Sequence, residues 1–291
     1  MSAVKAEIVS RVVALLSGGG APMLDYLHPA GDPGLFGPGA VCWRVHADFP
    51  SMMVGGISAL LLQMLHPLAL AGVADHSNFR DDLLGRLGRT ASFVAGTTYG
   101  NRQDAEALIA RVRRVHESVV GRASDGRPYS ASDPALLTWV HVAEVSSFLR
   151  AYVCYVDPTL AVAEQDRYYD ETALVAERLG ARDVPRKTAA VDAYFEAVRP
   201  LLAVSELTRE VASILLAIRA PQPLLEPVSR MFLMAGMDLL PLWAQRLSGF
   251  EERTRRWGRV ARTGIRSVAP VLRWALSGGT SRLAKQRMGS A

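Results

Sequence analysis

The chain has 291 residues, 49% of them hydrophobic and 21% charged, which is ample material for a large core and excludes a chain that is disordered over most of its length. Its two cysteines, Cys42 and Cys154, lie far apart, which excludes a disulfide framework and a CxxC metal site and fits a reducing, cytoplasmic setting. The net charge of +5 is uneven: residues 253–291 hold ten Lys/Arg and no Asp/Glu, which leaves −5 on the first 252.

In chain order, residues 3–17 read as an amphipathic helix ended by Gly18-Gly19-Gly20, without the continuous apolar run or cleavage site of a secretory signal. A long Pro/Gly loop follows, from His28-Pro29 to Pro38-Gly39. Residues 51–74 carry no charge and are long enough to cross a bilayer. Gly55-Gly56, Gln63 and His66-Pro67 interrupt them, so the prediction is two buried helices, 52–65 and 67–75. Helices are then predicted over 80–99, 102–121, 134–155, 163–180, 188–200, 206–219, 222–235, 238–248 and 251–276. Asp125-Gly126-Arg127-Pro128, Asp157-Pro158, Val184-Pro185 and Arg199-Pro200 mark turns between them. No alternation lasts long enough for a sheet, and no internal repeat is present. Beyond Ser277-Gly278-Gly279 the expectation is disorder. The fold class is all-α: an N-terminal helix and loop (1–33), one multi-helix domain (34–250) and a basic amphipathic tail (251–291).

In that tail, arginines alternate with Trp257, Val260, Ile265, Val268, Val271, Leu272, Trp274 and Leu276. Such a pattern over 253–276 suits peripheral contact with an anionic membrane surface. A solvated basic tail that aids solubility is the plain reading beside it, and nucleic acid is the weakest of the three.

Two of the six histidines stand on apolar helix faces. The helix opened by Asp133 and Pro134 aligns Leu137, His141, Val145, Phe148 and Tyr152. The 102–121 helix aligns Ala105, Leu108, Ile109, Val112, His116 and Val119, with Arg111, Arg113, Arg114 and Glu117 on the other side. An inward imidazole needs a hydrogen-bonded neighbour, a water or a metal, and two of them raise the case for a metal or cofactor site. HExxH, GxSxG, GxGxxG after a strand, a Walker loop and paired Glu-x-x-His helices are all absent.

Seven segments in order carry a family resemblance: Gly34-Leu35-Phe36-Gly37-Pro38, Gln63-Met64-Leu65-His66-Pro67, Ala71 to Phe79, Gly85-Arg86-Leu87-Gly88-Arg89-Thr90, Val112 to His116, Gly126 to Pro134, and Trp139-Val140-His141. Together, over residues 34–250, they resemble the MpaB oxygenase/rubber oxygenase catalytic-domain family. The resemblance implies a mostly helical, globin-like core. In the best-understood branch, the latex clearing proteins, it implies a b-type haem and oxidative cleavage of polyisoprene with dioxygen. The proximal iron ligand of that branch corresponds here to His141, and an apolar-apolar-His segment of the preceding helix to Val115-His116. The branch's distal Lys-Thr pair has no counterpart. Leu108-Ile109-Ala110-Arg111-Val112 stands there, with Arg111 as its one basic candidate. The resemblance therefore implies dioxygen chemistry on an apolar small molecule or a lipid-like, prenyl-type substrate rather than rubber.

On that footing Arg86 and Arg89 are candidates to pair haem propionates, and Thr90 to donate to bound dioxygen; a solvated helix face is the other reading. Glu144 is a candidate acceptor for the second nitrogen of His141, or an exposed residue. His66 and His76 either line the pocket or serve helix ends, and His28 and His46 read as surface or loop residues. A non-catalytic haem protein with two axial histidines and a membrane-surface helical protein remain the alternatives to a haem oxygenase.

Overall fold

The computed structural model describes Lys5 and residues 24–77, 82–218 and 225–289. The helix predicted at 3–17 otherwise lies outside the described residues. The fold is mostly helical, a single helical domain with thirteen α-helices among the described residues: α1 (Val41–Val45), α2 (Phe49–Gln63), α3 (Pro67–His76), α4 (Leu83–Tyr99), α5 (Arg102–Ser118), α6 (Pro134–Tyr155), α7 (Val162–Leu179), α8 (Thr188–Val198), α9 (Glu206–Ala217), α10 (Glu226–Leu239), α11 (Leu242–Leu247), α12 (Glu251–Ala275) and α13 (Thr280–Arg287).

The helix starts follow from side chains that satisfy free backbone N–H groups. Asp133 accepts from Ala135 and Leu136 N–H at the head of α6, with Pro134 in the first turn. Asp48 caps α2 through Ser51 N–H, Asp82 caps α4 through Gly85 N–H, and Asn101 caps α5 through Asp104 N–H. Gly180, at φ 111°, ends α7 in the left-handed conformation that favours glycine.

At the centre, α6 is buried on nearly every side, from Leu136 to Tyr155. It runs antiparallel to α2. The end of α2 meets the start of α6, where Trp139 Nε1 donates to Gln63 O (3.2 Å) and Gln63 Nε2 donates to Val140 O (3.0 Å). Gly55 meets Phe148 further along, and a Cβ on Gly55 would lie 3.0 Å from Phe148 Cα. Helices α1, α3, α7 and α10 also pack on α6, and α12 packs on α10 and α2.

Among the described residues no single helix is long and apolar enough to cross a membrane. The uncharged stretch forms α2 and α3, bent by 105° at His66-Pro67, with Val54, Leu61, Leu62 and Leu65 fully buried.

Four sequence expectations change. The 102–121 helix stops at Ser118, because Val120–Arg122 pairs antiparallel with Pro128–Ser130 as a short hairpin, β1–β2, across the predicted Asp125-Gly126 turn. The break placed between residues 235 and 238 falls instead at Leu240-Pro241. Helix α1 was not expected. Nor was α13, which lies where disorder was expected. Arg287 on α13 is buried and donates to three backbone carbonyls, Asp32 O (2.8 Å), Tyr26 O (3.2 Å) and Gly100 O (3.3 Å). A buried guanidinium that satisfies distant carbonyls is a tertiary contact, invisible to local composition.

Candidate active site

His141 sits about two turns inside α6, on the side of Leu137, Glu144 and Phe148. Its ring is half-buried and makes no hydrogen bond to the described residues. Burial pushes its pKa down to about 4, so the imidazole is neutral at pH 7. Glu144 is also half-buried and without a hydrogen bond among the described residues. Burial pushes its carboxyl up to about 7, so near neutrality it both holds and releases a proton. It does not bond His141, and it faces inward. Across from it on α7, the fully buried Tyr168 feels the Glu144 charge.

Tyr168 OH bonds His46 Nε2 (2.9 Å), and His46 Nδ1 bonds Thr98 Oγ1 on α4 (2.9 Å). The His46 ring stands edge-on to Phe148 and Tyr168, each at 5.6 Å. The reading of His46 as a surface or loop residue is therefore corrected; it joins α1, α4, α6 and α7. The one sequence signal was the apolar run Val41-Cys42-Trp43 before it, and five residues are too few to show a helical period. His28 is exposed and bonds Asp25 Oδ2 (2.8 Å).

Burial pushes the His46 pKa down to about 3. The unfolded residue takes up a proton at its ordinary pKa near 6.5 and the folded one does not until about 3. The stability it gives is complete above pH 6.5 and is lost as pH falls toward 3, by up to about 1.4 kcal/mol per unit. His46→Gln should flatten that limb. Urea denaturation between about pH 4 and 7 measures it, and equal acid slopes for variant and wild type would refute the assignment.

A second group lies on α4 and α5. His116 Nδ1 is buried without a partner. Burial and the Arg86 charge hold its pKa down, which places Arg86 beside it. The Arg86 guanidinium is itself desolvated, which lowers its pKa, and it has no carboxylate or other acceptor among the described residues. Ala105 and Ile109 are buried on the same face of α5.

The other candidates do not converge here. Arg111 is exposed on the outer face of α5. Arg89 is exposed and pairs with Asp82 (3.1 Å), and the Thr90 hydroxyl donates to Arg86 O (3.2 Å). His76 Nε2 bonds Val120 O (3.1 Å) and its ring lies 6.2 Å from that of Tyr129, so it pins the hairpin to α3. His66 precedes Pro67 at the head of α3, is 6% exposed, lies 6.0 Å from the Trp139 ring and leaves Nδ1 unpartnered.

Among the described residues no three His, Cys, Asp or Glu side chains gather as an all-protein metal cage. A haem asks for less: a porphyrin supplies four nitrogens, and the protein supplies one neutral imidazole and cations for two propionates. By type, the unengaged His141 ring is an imidazole of that kind and the unpaired Arg86 guanidinium is one such cation, while His116 with its orphaned Nδ1 is a second imidazole.

Comparison with protein families matches residues 43–274 to the "ER-bound oxygenase mpaB/B'/Rubber oxygenase, catalytic domain" description. Comparisons with curated proteins and with solved structures gave no match.

Proposed function

Since this chain belongs to the MpaB/rubber oxygenase catalytic-domain family, a family of oxygenases, we propose that it is a haem-b-dependent oxygenase that uses dioxygen on an apolar, lipid-like small molecule. The observation that carries this reading is the half-buried, neutral and unengaged imidazole of His141 on the most buried helix. A bound haem would supply the iron that activates dioxygen. His141 would offer its lone pair to that iron. Arg86 offers a desolvated cation to a propionate, where a charge-assisted bond is strong. Glu144 holds or moves a proton close to pH 7. Val145 and Phe148, both buried on the His141 side of α6, give that side an apolar lining.

The test is the absorption spectrum of the purified protein, with a pyridine haemochrome assay. A Soret band and close to one haem per chain are expected, with carbon monoxide binding to the reduced form. A colourless protein after haem is supplied during expression overturns the reading. Haem that refuses carbon monoxide favours the non-catalytic form with a second axial histidine.

We also propose that α12 gives peripheral contact with an anionic membrane. Its inner face, Gly258, Ala261, Ile265 and Ala269, is buried, and Arg262 and Arg273 pair with Asp238 (2.6 Å) and Asp48 (2.5 Å). The outer face keeps Trp257 and Trp274 49% exposed, with Val260 and Val271 on the same stripe. Sedimentation with phosphatidylserine vesicles should carry the protein down. Trp257→Ala/Trp274→Ala should release it, and binding equal to that of phosphatidylcholine vesicles would refute the contact.

A further inference from the structure

Nine residues along α6 from His141, two and a half turns and so on the opposite face, Arg150 lines a cavity. This cavity, about 530 Å³, lies between α6, α7, α8 and the corner that joins α10 to α11. The volume falls within the range of small-molecule sites. Most of its wall is apolar: Leu149, Val153, Val191, Phe195, Leu239 and Trp243.

Two guanidiniums line it. Arg150 Nε donates to Ser146 O (3.2 Å) and Nη2 to Ser146 Oγ (3.3 Å). The remaining N–H groups find no hydrogen-bond acceptor among the described residues, and the Asp192 carboxylate acts on the guanidinium only through its charge, without an ion-pair contact. Burial pulls its pKa below the usual guanidinium value. It lies 5.8 Å over the Phe195 ring. Arg199 lies 5.1 Å over the Trp243 ring, pairs with Glu196 through Nη2 (2.7 Å) and leaves Nε buried without a partner. The acidic groups of this cavity, Asp192 and Glu196, are exposed at its rim.

An unpaired, desolvated guanidinium is costly unless an anion completes it. Its planar fork fits the two oxygens of a carboxylate. The rim carboxylates already offset part of the positive charge, which favours a monoanion over a phosphate dianion. We propose that this cavity binds an apolar carboxylic acid, its carboxylate against Arg150 and the free Nε of Arg199, its hydrocarbon along Leu149, Val153, Leu239 and Trp243. The site is separate from His141 and does not depend on the haem reading.

The experiment titrates the full chain with dodecanoate, below its micelle-forming concentration, and with dodecanol, by calorimetry and tryptophan fluorescence. Dodecanoate should saturate at one per chain and dodecanol should bind at least about tenfold more weakly. Arg150→Met should remove that preference, and Val153→Phe, which fills the cavity and keeps Arg150, should abolish binding. No saturable binding, equal binding of acid and alcohol, or full binding by Arg150→Met overturns the proposal. Should Arg150→Met fail to fold, undiminished binding by Val153→Phe overturns it equally.

Discussion

With haem held as proposed, His141→Ala is expected to reduce it from close to one per chain to near none, with the fold intact. The side chain donates to no residue among those described, so its loss breaks no hydrogen bond and removes only an imidazole that is neutral at pH 7. An axial imidazole would tie haem iron directly to the chain, and α6 carries no second histidine. His76→Ala is the control, because that imidazole holds the Val120 carbonyl on the hairpin and has no role at His141. Haem per chain by pyridine haemochrome measures the outcome, with circular dichroism to confirm the fold. Haem retained in His141→Ala at wild-type stoichiometry would remove His141 as ligand and direct attention to His116 or His66. Free imidazole added to the variant should restore the Soret band in part, which a merely structural role would not produce.

Trp139→Ala should destabilise the chain by about 3–5 kcal/mol, at the upper end for a single core truncation. Trp139 is fully buried on α6, 6.0 Å from the His66 ring and 6.3 Å from the Phe195 ring. Its Nε1 also donates to Gln63 O, and removal leaves that carbonyl short of a partner at the end of α2. The cavity would open where α2 and α6 meet, at the contact that fixes the angle of the helix bearing His141. Urea denaturation with an unchanged m-value measures it, and Trp257→Ala on the half-exposed face of α12 should cost no more than about 0.5 kcal/mol. A Trp139→Ala cost below about 1 kcal/mol would show that the α2–α6 crossing is not where the stability resides.

Long helices with a clear start were legible in the chain. The Asp133-Pro134 start of α6 was read from two residues, because a cap and a proline act within one turn. The inward setting of His141 followed from period alone. So did the buried side of α5, where Ala105 and Ile109 are buried and His116 is half-buried while Arg111, Arg113 and Arg114 are exposed. The break at His66-Pro67 was likewise local, since proline cannot continue the hydrogen-bond ladder of α2. The family itself was carried by short segments in a fixed order, a property of the chain and not of its folding.

Polar partners across the fold were not legible. His46 looks like any residue after a short apolar run until α4 brings Thr98 and α7 brings Tyr168 to its two ring nitrogens. Arg86 and Arg89 lie three residues apart in one motif. Packing desolvates the first beside His116 and leaves the second on the surface with Asp82. Arg150 and Arg199 sit 49 residues apart and share a cavity that appears only when α8 folds back on α6. Arg287 gave no sign that it would hold the loop at Asp32. The difference is one of range. Periodicity, capping and proline act over three or four residues and are written in adjacent letters. Desolvation and charge pairing depend on which distant side chain arrives, and that is known only once the helices are packed.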